Sequence, residues 1–242
     1  HFDIGKAKRY GEEGIALARA CVQMSPTVQY LYLLAQMLTN AAALKKGEYQ
    51  YPYYREALDC RKRIFGSLAT ADQQLELACT YTWYAQSLDE AVDAGVKNLP
   101  ENAKKQAAGS WEEGFALLEE MLPGAAGEAA AINYRGRLYA KAKNALGRRE
   151  YEEAIHCAER MMELLSDDGA VRQDEAVMQG ETVAQNETVT QGKAVMRDAA
   201  RSDGGYEKLQ MENKAGQILT EAYTAMLRED EILSRARETA EQ

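Results

Sequence analysis

Histidine and cysteine supply most of the bases, nucleophiles and transition-metal ligands that work near neutral pH. This chain of 242 residues has His1 and His156 of the first kind, and Cys21, Cys60, Cys79 and Cys157 of the second. Their spacing defeats the usual uses. No CxxC pair occurs and no histidine stands at the spacing of a zinc motif, so neither a metal centre nor a redox dithiol is expected. His156 falls in the middle of a helical pattern, with no Ser-His-Asp or Cys-His constellation to serve. Carboxylates come as neighbours, Glu12-Glu13, Glu112-Glu113 and Glu152-Glu153. Adjacent side chains on a helix diverge by about 100°, so such pairs cannot converge on one reacting atom. Near helix starts they suit the macrodipole instead. Neither "SDGGYEK" nor "GAAGEAA" has the glycine and lysine spacing of a phosphate loop. The chain is therefore expected to be no enzyme and to need no cofactor and no metal.

The elements that would position any site are helices. With 4 Pro and 3 Phe against abundant Ala, Leu, Glu, Gln, Lys and Arg, the composition favours helix along most of the length. The fold class expected is all-α. Pro26, Pro52, Pro100 and Pro123 each stand between apolar-periodic stretches, where the ring stops a helix. The pattern predicts helices near 5–24, 27–45, 53–68, 72–94, 101–122, 127–146, 150–166 and 206–228. A net charge of -9 repels phosphate backbones and anionic lipid, so no nucleic acid and no membrane is expected as partner. No apolar run approaches the ~20 residues of a membrane span. The dispersed cysteines read as small core residues kept reduced, which fits a cytoplasmic location.

Two frames recur along the chain. "EEGIALARACV" at Glu12, "YREALDCRKRIF" at Tyr54, "WEEGFALLEEML" at Trp111 and "YEEAIHCAERMM" at Tyr151 share a Glu, a small residue, an apolar residue and a later apolar pair. The frame aligns Gly14, Ala57, Gly114 and Ala154, small positions at which a helix can approach its neighbour closely. A second frame precedes it: Leu31, Leu34, Ala35 and Leu38 in "LYLLAQML", repeated as Tyr81, Tyr84, Ala85 and Leu88 in "YTWYAQSL". A third copy fits two registers, one with Ile132, Gly136 and Tyr139, the other with Leu138, Ala142 and Ala145.

With its frames paired in this way, the chain resembles the tetratricopeptide repeat (TPR) family, in particular the kinesin-light-chain type, over about residues 10–166. The resemblance implies an α-α superhelix, a right-handed solenoid of antiparallel helical hairpins. It implies that Ala57, Leu58, Ile64 and Phe65 pack inward while Arg61, Lys62 and Arg63 cover the solvated side, with Gly66 in a left-handed stop. Between Leu38 and Tyr54, and between Leu88 and Trp111, the links exceed the short family turn and imply extended helices or inserted loops. The family binds partners on the concave wall of its first helices. Carried across, the wall positions are Tyr32, Gln36 and Asn40, then Thr82 and Gln86, then Asn133, Arg137 and Lys141 in the register with Gly136. Amides there would hold a peptide backbone and the cations a carboxylate, so a protein or peptide partner is expected, acidic or C-terminal in character. A peptide-sensing regulator that changes conformation on binding is the alternative. The resemblance, with a start at His1-Phe2, also implies an upstream catalytic or signalling domain.

Residues 1–166 thus form the repeat region. Residues 176–199 run in hexads with valine at 177, 183, 189 and 195, a step that spirals around a helix and builds no face. The stretch 167–205 is read as a polar insertion or extended link, and 206–242 as C-terminal helices that cap the solenoid, with Ile218, Leu219, Ala222 and Met226 on one face. The tyrosine-rich "GEYQYPYY" from Gly47 is read as structural anchoring.

Overall fold

The computed structural model describes residues 4–66, 69–180, 208–230 and 232. Among these the chain is all-α, without a strand. The order is α1 (Ile4–Met24), α2 (Val28–Ala42), a 3-10 turn (Gly47–Tyr49), α3 (Tyr51–Phe65), α4 (Ala71–Asp93), α5 (Ala103–Met121), α6 (Gly127–Gly147) and α7 (Tyr151–Gly180). A further helix, α8, spans 208–230. Local chemistry sets many of the boundaries. The Thr27 hydroxyl accepts from the Tyr30 N–H to start α2. Thr70 and Gln73 form a reciprocal capping box that starts α4, each side chain accepting from the other's backbone N–H. Pro52 occupies the first turn of α3, where its missing N–H costs nothing.

The left-handed stop lies elsewhere than expected. Gly66 ends α3 with a right-handed φ of -64°, whereas Gly95 takes φ +65° after α4. There the Gly95 N–H bonds Val92 O and the Val96 N–H bonds Ala91 O, closing the last turn. The same pair of bonds ends α6, from Arg149 to Leu146 O and from Glu150 to Ala145 O. In that case Arg149 carries the positive φ, 63°. The link after Leu38 consists of one more turn of α2, a short turn and the 3-10 turn, and the link after Leu88 of the end of α4, a loop over 94–102 and the first turns of α5. Helix α7 continues past 166 into the stretch expected to be a link. Of the hexads, 176–180 form the end of α7 and the rest lie outside the described residues.

The chain divides into two compact units, His1–Tyr134 and Arg135–Gln242, with the boundary inside α6. In the first unit, each of α1 to α5 packs on the next in sequence. Ile15 and Ala18 of α1 join Leu31, Leu34, Ala35 and Leu38 of α2 and Ala57, Cys60 and Ile64 of α3 in one core. Tyr54 and Leu58 of α3 join Leu77, Tyr84 and Leu88 of α4 and Ala103 and Ala107 of α5 in another. The tyrosine-rich segment anchors this seam, with Tyr54 buried and Tyr51 and Tyr53 packed against the core, while Tyr49 is exposed. The small positions do allow close approach. A Cβ on Gly114 would lie 2.6 Å from Thr82 Cγ2, 3.0 Å from the Ala78 carbonyl oxygen and 3.1 Å from Tyr81 Cβ. Near this contact the buried Trp111 indole donates to Asp89 Oδ2 at 2.9 Å.

In the second unit the buried side chains include Leu138, Ala142 and Ala145 of α6, Ala154, Cys157, Ala158, Met161, Leu164 and Leu165 of α7, and Ala215, Ile218 and Ala222 of α8. Helix α6 therefore adopts the register of Leu138, Ala142 and Ala145. Ile132 is exposed, and Gly136 and Tyr139 are half-buried.

Two outcomes are expected in urea unfolding. Gly114→Ala should destabilise by about 1–3 kcal/mol, since the backbone of α4 leaves the added methyl no space. Arg149→Gly should stabilise by about 1 kcal/mol by relieving the left-handed penalty; a loss instead would place the role of Arg149 in its side chain.

Candidate functional site

Three of the expected wall positions lie one turn apart on α2, and the structure connects them to a residue of α4 that sequence reasoning missed. Gln36 Nε2 donates to Glu76 Oε1 at 2.6 Å and to the Tyr32 hydroxyl at 3.2 Å. The Tyr32 hydroxyl donates to the same Glu76 oxygen at 3.0 Å. The other oxygen of Glu76 is ion-paired with Arg61 Nη1, from α3. Asn40 extends the α2 face, exposed. On α4, the Cys79 thiol donates to Asn133 Oδ1 of α6 at 3.3 Å, and Asn133 Nδ2 bonds Ala129 O at 2.8 Å. Side chains of α2 thus bridge to α4, and one of α4 to the start of α6, so the three helices share one polar face in the first unit.

Arg61 corrects an expectation. It does not cover the solvated side; its side chain is 4 % exposed, while that of Glu76 is 28 % exposed. Ala57, Arg61 and Ile64 stand at i, i+4 and i+7, so the spacing alone puts Arg61 in the buried stripe of α3. Its charge identity hid that. Lys62 is elsewhere, its ammonium 4.8 Å from the centre of the Tyr81 ring, and Phe65, expected inside, is 39 % exposed.

The remaining wall positions have different surroundings. Thr82 is fully buried, its hydroxyl donating to Cys79 O at 2.9 Å and its methyl against Gly114, so it offers nothing to a ligand. It turns inward because α4 is flanked by α3 and α5 and buries most of its circumference. Gln86 Nε2 donates to Glu90 Oε1 at 2.9 Å, and Glu90 abuts Gly47 of the 3-10 turn. Arg137 and Lys141 belong to the second unit, where Lys141 is ion-paired with Glu153.

The second unit has a cleft of about 710 Å³ lined by Arg149, Tyr151, His156, Met226, Glu229 and four further acids. The Tyr151 hydroxyl donates to Glu229 Oε1 at 3.0 Å, and Arg149 Nη1 lies 3.6 Å from the same oxygen. Desolvation, then the Glu229 carboxylate, push the Tyr151 phenol above its ordinary pKa. None of the four cysteines forms a disulfide. Burial pushes Cys60 up to about 11 and Cys157 up to about 12, so both stay protonated and unreactive at neutral pH. Among the described residues no group of three His, Cys, Asp or Glu could hold a metal ion, and no helix is long and apolar enough to cross a membrane.

No family model, no curated protein and no solved structure matches the chain.

The ion pair at the centre of the face should respond asymmetrically to mutation. Glu76→Gln leaves a guanidinium buried without its counter-charge and should cost about 3 kcal/mol. Arg61→Met leaves a carboxylate that still reaches water and should cost about 1 kcal/mol. The double variant should recover most of the larger loss in urea unfolding. Equal single losses that add in the double variant would mean the two charges do not depend on each other.

Proposed function

We propose that the chain is a protein-interaction scaffold whose helical hairpins are degenerate tetratricopeptide-type repeats of a right-handed α-α superhelix. It works in the cytoplasm, and a peptide or partner protein binds on the face shared by α2, α4 and the start of α6. The observation that carries this reading is the pair of side-chain bridges across first helices: Tyr32 and Gln36 to Glu76, and Cys79 to Asn133. Helices that come from successive hairpins and meet through polar side chains, with their apolar stripes turned to other neighbours, leave a continuous surface of amides, a phenol and a carboxylate. Such groups suit the N–H and C=O of an extended backbone. Exposed Leu33 and half-exposed Tyr32 on the same helix add apolar area beside them. Four cysteines without a disulfide support the cytoplasmic assignment.

The charged groups that bond at the α2–α4 bridge include Glu76, paired with Arg61, and Glu90, which accepts from Gln86.

Selection of random extended peptides on the purified chain tests the reading. Enriched peptides should lose at least tenfold in affinity when Asn40→Asp and Gln86→Glu are combined, and should be unaffected by Glu112→Gln with Glu113→Gln on the outer helix α5. Failure to enrich any peptide, or equal loss from both pairs of changes, would remove the face as a binding site.

A further inference from the structure

Helix α1 is attached differently from every other helix of the first unit. Of its described side chains only Ile15 and Ala18 are buried, whereas α2 buries six residues and α4 buries eleven. It lies on α2, and Ile15 and Ala18 join Leu31, Leu34 and Leu38 of α2 and Cys60 of α3 in one core. Towards α3, however, the packing is incomplete: a crevice of about 250 Å³ runs between Arg19, Val22 and Gln23 of α1 and Glu56, Asp59, Cys60 and Arg63 of α3, with Leu34 at its edge.

Charge bridges the gap. Arg19 Nε and Nη2 donate to the two oxygens of Glu56 at 2.7 and 2.5 Å. Seven residues earlier, Glu12 Oε1 accepts from Lys45 Nζ and from the Tyr53 hydroxyl, each at 2.9 Å. Both latches are surface pairs, with Arg19 46 % exposed and Glu12 48 % exposed. Most helical stability in a protein comes from tertiary packing, and for this α1 has two buried side chains, the partly buried Val22 and two screened ionic contacts. Its outer side carries Tyr10, Leu17 and Met24, 58 %, 68 % and 80 % exposed.

We propose that the groove between α2 and α3 is a helix-accepting site, closed here by the chain's own α1 and open to an amphipathic partner helix bearing the same stripe and charges. The seated α1 defines the ligand. It has a glutamate to meet Lys45 and Tyr53, an arginine seven residues later to meet Glu56, and between them a small residue, a branched apolar residue and an alanine, as at Gly14, Ile15 and Ala18. Gly14 is part of that template: a Cβ there would lie 2.2 Å from the end of Met37. Three residues, Ser25 to Thr27, tether α1 to α2, so a partner competes against a high effective concentration and gains access as the latches weaken. This site is separate from the polar face of α2 and α4, and neither proposal depends on the other.

Cys60 reports the opening, because it lines the crevice and is 4 % exposed under α1. The full chain, in a Cys21→Ala background, is alkylated with iodoacetamide and followed at each thiol by mass spectrometry, with Cys157 of the second unit as reference. Glu12→Gln and Arg19→Gln are each expected to speed Cys60 labelling about fivefold, and 1 M NaCl to speed the wild type similarly by screening. Arg19→Glu combined with Glu56→Arg should return Cys60 to the slow rate. The probe ligand is a synthetic peptide of residues 4–24. It should bind the Glu12→Gln/Arg19→Gln chain and slow Cys60 labelling again, and the same peptide carrying Ile15→Asp should do neither. Cys60 labelling that ignores the latches, that rises in step with Cys157, or that the peptide leaves unchanged would overturn the proposal.

Discussion

A guanidinium almost wholly removed from water is costly unless a carboxylate stays beside it, and Arg61 imposes that condition on three helices at once. Its backbone is on α3, its counter-charge Glu76 is on α4, and the free oxygen of Glu76 is held by Tyr32 and Gln36 on α2. A shift of α3 against α4 by a fraction of a turn would separate the pair and expose the cost of burying each charge, and a shift of α2 would break the bonds that hold Glu76. Apolar contacts alone tolerate small sliding motions because they have no direction; this network does not. The register of α2 against α4, and hence the polar face proposed as the binding surface, follows from that one pair.

Around this fixed point the attachment of successive helices changes in kind. Between α4 and α5 the backbones come close enough that only glycine fits at 114, and a buried indole–carboxylate hydrogen bond locks the contact. Between α2, α3 and α4 a continuous apolar seam of Leu, Ala and Tyr is pinned by the Arg61 network. Between α1 and α3 the apolar seam thins to a crevice crossed by surface ion pairs. Since apolar burial carries most of folding stability and exposed ion pairs carry little, the unit grades from a rigid side at α4 and α5 to a loosely held side at α1.

Much of the helical order was legible because it rests on signals with a local cause. Pro52 and the Leu31, Leu34, Ala35, Leu38 stripe each act within one or two turns, and each is where the pattern put it. The small residues of the first frame were legible too, since Gly114 and Ala57 declare a close approach by their size. The wall positions were not. Thr82 sits on a helix packed by neighbours on two sides, a fact fixed by tertiary packing, and no periodicity distinguishes its inward turn from an outward one. The network partner Glu76 escaped because its meaning depends on Arg61, fifteen residues away, and Arg61 was read by its charge when its spacing pointed to the core. For α6, two registers competed until burial of Leu138, Ala142 and Ala145 decided between them.

The gradient of attachment bears on what kind of recognition the first unit supports. A polar face organised by a buried ion pair is preorganised: its amides and carboxylate are held by one another before a ligand arrives, so little ordering entropy is lost on binding. The α2–α3 groove is the opposite case, because its present occupant is tethered and must leave first. A surface of the first kind favours fast, modest-affinity contact with extended chains, and one of the second favours slower exchange governed by how often α1 opens. Both lie on α2, whose Leu31 and Leu34 face the groove while Tyr32 and Gln36 face the polar surface. A partner helix replacing α1 would therefore touch the same helix that carries the peptide-binding groups. Arg61 prevents the two from coupling freely, since any displacement of α2 strong enough to pass from one surface to the other must first pull Gln36 and Tyr32 away from Glu76.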